Sequence, residues 1–197
     1  MASKKIILFI TLILTSLQIQ AQVKSIFGLK TGANFSTFIN SNNARYQISP
    51  GFIFGTTLEL KSSFRKLSIQ SGFLFFQYGA KFRDSNVTAE INYFKIPLLF
   101  KYRLDTPLSD RSPTIIFGTF TNLHLISNKR IPGFLGLSVI DDAVDTPNYG
   151  LIIGTGYDIN SISIGIQSNF GLSKTFRSKY QLDEKNVGIS ITFAVKL

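Results

Sequence analysis

The chain has 197 residues and no cysteine, and 21 Lys+Arg stand against 11 Asp+Glu for a formal charge of +10. A single domain without disulfides or thiolate metal sites follows from the length and the missing cysteines. The basic excess is spread along the chain, without the clustered stripe that nucleic-acid binding needs, so no nucleic acid partner is expected.

In chain order, Lys4 and Lys5 precede an apolar run, Ile6 to Leu17, and Ile19-Gln20-Ala21 closes on a small residue. This is the layout of a cleaved signal peptide over residues 1–21, with an apolar run too short to span a bilayer as a helix. The exported domain is expected over residues 22–197. No later stretch carries a long uncharged apolar run, yet the hydrophobic fraction is 44% and Phe occurs 19 times. An exported, strongly apolar chain without a spanning helix points to a β-barrel.

Alternation with a period of two marks eight strands: Ile26–Ser36, Gly51–Lys61, Lys66–Tyr78, Ile91–Arg103, Pro113–His124, Tyr149–Asp158, Ser161–Leu172 and Val187–Leu197. Each is about the ten residues that a tilted strand needs to cross a bilayer. Short links (62–65, 104–112, 159–160) alternate with longer polar ones (37–50, 79–90, 125–148, 173–186), as periplasmic turns alternate with outer loops in membrane barrels.

The two faces differ. One register holds Phe27, Leu29, Phe35, Phe52, Phe54, Leu58, Leu60, Phe94, Ile96, Leu98, Phe100, Ile189, Ile191 and Phe193. The other holds Lys30, Asn34, Thr57, Glu59, Tyr93, Lys95, Ser190 and Thr192, interleaved with Gly28, Gly32, Gly55, Gly72, Gly118, Gly150, Gly154, Gly156, Gly165 and Gly188. Glycine weakens a solvated strand face, but inside a narrow barrel it leaves room for neighbouring side chains. The polar face is therefore assigned to the lumen and the apolar face to lipid. The fold expected is all-β: a closed antiparallel up-and-down transmembrane β-barrel of eight strands.

Strands three and five mix the registers. Leu74 and Phe76 share a face with Gln70, and Ile116 and Phe120 with Asn122, so either a bulge or apolar packing in the lumen is required. Pro97, which cannot donate to a ladder, calls for a bulge or a local break in pairing. Phe27, Phe35, Phe52, Tyr78, Tyr102, Tyr149, Tyr157 and Phe170 lie near strand ends, as interfacial aromatic girdles do.

The segments "GLKTGANFSTF", "YFKIPLLFKYRL" and "VGISITFAVKL" resemble the first, fourth and last strands of the outer-membrane β-barrel-domain family, also called PorT-like or porin-family proteins. The resemblance implies an eight-stranded barrel in a Gram-negative outer membrane, delivered by the barrel-assembly machinery, with an accessory part in protein secretion for some members. Leu197 stands where many such barrels end in an aromatic residue, which leaves Phe193 as the nearest candidate for that signal.

Lys30, Lys61, Lys95, Lys101, Arg103 and Lys196, with Glu59 and Asp158, fall in the inward register. They form either a binding or gating network or a structural polar plug whose charges pair because isolated buried ones are costly. Lys81, Arg83, Lys129, Arg130, Lys174, Arg177 and Lys179 fall in outer loops, placed to contact lipopolysaccharide phosphates. His124, the single histidine, precedes a loop with Asp141, Asp142 and Asp145, and with Ser127 and Ser138 nearby. An enzyme acting on lipid A or on peptides would centre there, but a lone histidine among acids is a weak signal, and no catalytic residue is assigned. The aspartate spacing matches no EF-hand, and "GTGYDI" lacks the third glycine and following helix of a nucleotide loop, so no metal or cofactor is expected. The role expected is non-enzymatic, in the envelope or through the loops on an envelope or secretion partner. A soluble periplasmic barrel holding an apolar ligand is the other alternative.

Overall fold

The computed structural model describes residues 23–40, 46–62, 66–82, 88–104, 111–127, 144–176 and 184–197. The expected signal peptide lies outside them. Eight antiparallel strands form one cylinder: β1 (Val23–Asn40), β2 (Tyr46–Ser62), β3 (Leu67–Phe82), β4 (Thr88–Arg103), β5 (Arg111–Ser127), β6 (Asn148–Ile159), β7 (Ile162–Gly171) and β8 (Glu184–Lys196). Each pairs with its neighbour in sequence, and β8 pairs with β1 from Gly28–Lys196 to Asn40–Glu184, so no edge is left open. Closure is what lets strands survive in hydrocarbon, where each unpaired backbone group costs several kcal/mol.

The register fixes the shape. Stepping once around from Phe27 through Leu58, Ser71, Leu98, Thr119, Leu151, Phe170 and Val187 returns to β1 at Thr37, ten residues higher. A stagger of that size over eight strands tilts them by about 40° and gives a lumen that side chains fill.

All eight expected strands are present, and five of them are longer by three residues or more. β1 to β5 are 16 to 18 residues long, whereas β6, β7 and β8 have 12, 10 and 13. Two connections expected to be long, after β1 and β3, shrink to residues 41–45 and 83–87. The long ones that remain are 128–147 and 172–183, both at the rim away from the chain termini. Alternation fades in stretches such as "QISP" and "TAEI" because both faces there are polar or irregular, while the ladder continues. At the termini end the tightest link is Asn160-Ser161, where Asn160 adopts φ 50°, a left-handed conformation that asparagine tolerates in a two-residue hairpin.

Exposure alternates as the face assignment requires. Phe27, Phe54, Ile153, Ile166 and Ile191 are exposed, whereas Lys30, Glu59, Lys95, Asn169 and Thr192 are buried. At the heights spanned by Phe27 to Phe35 on β1, no outward position of any strand carries a charge. A soluble barrel has the reverse arrangement, so the soluble alternative does not describe this molecule. Leu74, Phe76, Ile116 and Phe120 are all buried inside, which resolves strands three and five in favour of apolar lumen packing. The register shifts lie elsewhere, between Ile48 and Ile53 of β2 and beside Asn92 of β4. Pro97 interrupts pairing locally: β3 pairs with β4 at Ser71–Leu98 and again at Leu74–Lys95, and the Ser71 hydroxyl donates to the Pro97 carbonyl at 2.9 Å.

Tyr78 corrects the aromatic assignment. It is fully buried in the lumen, because its register is that of Leu74 and Phe76. The other seven named aromatics face outward. Phenylalanines also fill the middle of the band as stacked cross-strand pairs, Phe52–Phe75 at 5.0 Å and Phe100–Phe117 at 5.3 Å. The outward tyrosines, Tyr102, Tyr149 and Tyr157, keep to the strand ends, where a hydroxyl can reach the interface.

The glycines do face inward, but mostly for another reason than room for side chains. A Cβ at Gly118 would strike the Leu98 carbonyl oxygen and sit 2.9 Å from the Leu99 Cα. Curvature this strong brings neighbouring backbones together on the concave side. Gly118→Val should therefore force β4 and β5 apart and lower stability by about 1–3 kcal/mol. Gly165→Ala, whose nearest contact would be the Thr192 hydroxyl at 3.2 Å, should be mild by comparison. Urea unfolding in lipid vesicles measures both.

Candidate functional site

The lumen is layered. Nearest the termini, Glu59 on β2 accepts from Lys101 Nζ at 3.0 Å, Arg103 Nη2 at 3.2 Å and Ser68 Oγ at 2.7 Å. Asp158 on β6 accepts from Lys196 Nζ at 2.8 Å and Lys101 Nζ at 3.4 Å, and from the Ser163 hydroxyl. Lys101 thus bridges two carboxylates carried by strands on opposite sides of the barrel. Alternation along β4 aims both Lys101 and Arg103 inward, and the β2–β3 register sets Lys61 beside Ser68 and Glu59 beside Gln70. With both carboxylates and both cations of β4 buried, pairing is what makes the layer tolerable, since an isolated charge there is far costlier.

Above it lies an apolar belt of Leu99, Ile116, Phe120 and Ile152, with Ile53, Leu74 and Phe76 beside it. Lys95 sits on this belt without a carboxylate partner among the described residues. Its Nζ is 3.4 Å from the Phe76 ring centroid and 4.2 Å from that of Phe120. It donates to the Tyr78 hydroxyl and to Asn169 Oδ1, each at 2.9 Å. The rings' negative faces and two oxygens offset part of the missing counter-charge. A chain of hydrogen bonds continues from Asn169 Nδ2 to Ser190 Oγ at 2.8 Å, from Ser190 Oγ to Asn34 Oδ1 at 3.1 Å, and from Asn34 Nδ2 to the Gln77 carbonyl at 3.0 Å.

The rim away from the termini is plugged. Phe38, Tyr78, Tyr93, Ile91, Val144 and Phe176 form one buried cluster, and Tyr46 packs on it while its hydroxyl donates to Glu184 Oε1. Val144 and Phe176, from the two long connections, pair as an isolated bridge. Asp145 N donates to the Thr175 carbonyl at 2.9 Å, and Thr175 N to the Glu184 carbonyl at 2.7 Å. Those connections therefore fold inward at their ends and close the mouth.

The eight inward residues named from the sequence are not one network. Glu59, Lys101, Arg103, Asp158 and Lys196 are joined; Lys95 stands apart in its aromatic cage. Lys30, buried, and Lys61, half-buried, form no ion pair among the described residues. Of the outer-loop cations, Lys81 is half-buried at the end of β3 and Lys174 is exposed; Arg83, Lys129, Arg130, Arg177 and Lys179 lie outside the described residues. His124 sits edge-on to Tyr93, ring centroids 6.1 Å apart, and its backbone N–H donates to Thr146 Oγ1 at 3.2 Å. Asp145 is exposed, while Asp141, Asp142 and Ser138 lie outside the described residues. Among the described residues no cluster of His, Asp and Glu could hold a metal ion.

Sequence reasoning put Asn34 in the inward register but did not gather the asparagines into one buried group. Asn34, Asn92, Asn122, Asn148, Asn169 and Asn186 come from six strands and are all buried towards the plugged rim. Five occupy inward positions of regular alternation, which counting outward from each short turn would have found. Asn92 sits at a register shift and would not have been found that way.

No curated protein sequence matches the chain. Among solved structures, Neisserial surface protein A (NspA) is similar, at 14% identity over 87% of this chain and 97% of that one, with a TM-score of 0.54. Ail, the attachment invasion locus protein of Yersinia pestis, is 12% identical over 88% of this chain and 99% of its own, with a TM-score of 0.49. A model of the outer membrane protein beta-barrel domain matches residues 20–177, spanning most of the closed cylinder described above. The chain belongs to that family of outer-membrane β-barrels.

Proposed function

We propose that this barrel is a non-conducting, non-enzymatic envelope protein that works through its outer rim. The observation that supports it is the filled lumen. An ionic layer, an apolar belt and an aromatic plug follow one another along the axis, and the space left beside Lys30 and Lys95 is a small cavity with room for about one water. In this reading the termini and short turns face the periplasm. The 128–147 and 172–183 connections face outward, with Lys174 and its neighbouring cations against lipopolysaccharide phosphates. The plugged mouth holds the ends of both long connections, which gives a protein partner in the envelope, a secretion component included, a fixed surface to meet.

Planar-bilayer recording of the purified barrel tests the reading. The expected trace has no steady conductance above background. A large, stable pore would show that the lumen opens and would replace this reading with a channel.

A further inference from the structure

Among the described residues, charge in the lumen does not balance. Lys30, Lys61, Lys95, Lys101, Arg103 and Lys196 point inward, against Glu59 and Asp158; Glu184 lies at the far rim, bonded by Tyr46. Both luminal carboxylates are already engaged, Glu59 by Lys101 and Arg103, and Asp158 by Lys101 and Lys196. Lys30 is 6% exposed and Lys95 1%, so both are largely withdrawn from bulk solvent. Lys30 has no hydrogen-bond or ion-pair partner among the described residues, and Lys95 has used two of its three protons on Tyr78 and Asn169. Both side chains line the same small cavity, together with Gln167 and Thr192.

We propose that this cavity is a binding site for a single halide ion, chloride in the cell. Two buried amines lining one void carry charge there only at a high cost, which an anion between them reduces. The size of the void selects the anion. It is small, which favours a monatomic ion over a carboxylate or a tetrahedral oxyanion. The lining suits a weakly hydrated ion: Leu74, Phe76 and Ile152 supply apolar contact, and Lys30, Lys95 and Gln167 supply N–H donors. The halide would complete the charge pairing above the ionic layer and tie β1 to β4 across the lumen. The inference does not depend on what the rim loops contact.

Two measurements on the full barrel in detergent test it. In crystals grown with sodium bromide, an anomalous map at the bromine edge should show a peak between Lys30 Nζ and Lys95 Nζ. Thermal unfolding at matched ionic strength should give a higher Tm in sodium chloride or bromide than in sodium gluconate, by an amount that grows with halide concentration as for one site. Lys30→Gln should abolish that difference. An empty bromide map at this position, or a wild-type Tm that is the same in gluconate and halide, overturns the proposal. A halide-dependent Tm that persists unchanged in folded Lys30→Gln overturns it too. If Lys30→Gln does not fold, the bromide map of the unaltered chain decides.

Discussion

Glu59→Gln should be the most damaging single change in the lumen, lowering stability by about 3–5 kcal/mol. The substitution keeps the shape of the side chain and removes its charge. Lys101 retains Asp158, at 3.4 Å, but Arg103 loses the one carboxylate it reaches among the described residues. Arg103 is 1% exposed, and its Nη1 already lacks a partner among the described residues. A guanidinium cannot shed its proton to escape, so the full desolvation cost falls on the folded state. Adding Arg103→Met to Glu59→Gln should recover part of the loss, because the stranded cation is then gone. Equilibrium urea unfolding of the single and double variants in lipid vesicles reads both effects. A Glu59→Gln barrel as stable as wild type would mean that the ionic layer is solvated and that the lumen is open at the termini end.

The second large effect is expected on the outer wall. Ile153 on β6 is 57% exposed and lies near mid-height of the apolar band, flanked on the same face by Leu151 and Thr155. Ile153→Arg should cost about 2–4 kcal/mol in a bilayer, the depth-dependent penalty for a cation at the midplane. The same substitution at the strand end, Tyr157→Arg, should cost about 0–1 kcal/mol, because a charge there reaches the interface. The contrast is diagnostic. A water-facing wall would accept arginine equally well at both positions.

Which parts of this architecture could be read in advance follows from how many constraints act on each residue. In "NYGLIIGTGYDINSISIGIQSNFGL" the outward residues are mostly apolar and the inward ones, Ile152 apart, small or polar, so the period of two is nearly unbroken and β6 and β7 were legible to within a residue. The outer halves of β1 to β4 were not. Once a strand rises past the hydrocarbon, nothing demands apolar residues on its outer face, and Gln47, Lys81 and Glu90 occupy strand positions without disturbing the ladder. Tyr78 was misplaced because a tyrosine near a strand end fits a girdle or a plug equally well; only the register of β3 separates them. The ionic layer was partly legible, since alternation alone aims Lys101, Arg103, Glu59, Asp158 and Lys196 inward. Their division from Lys95 was not, because height along the axis depends on the stagger of all eight strands. Likewise, the glycines gave the right face while the cause, backbones crowding on the concave side, needed the curvature of the closed cylinder.

The central claim is that the apolar register touches acyl chains. The chain has no cysteine, so Ile191→Cys offers a unique attachment point for an environment-sensitive fluorophore on an outward residue that is 49% exposed. In vesicles containing lipids brominated along the acyl chain, the account predicts strong quenching of that probe and none by aqueous iodide. Quenching by iodide with no response to brominated lipid would contradict it.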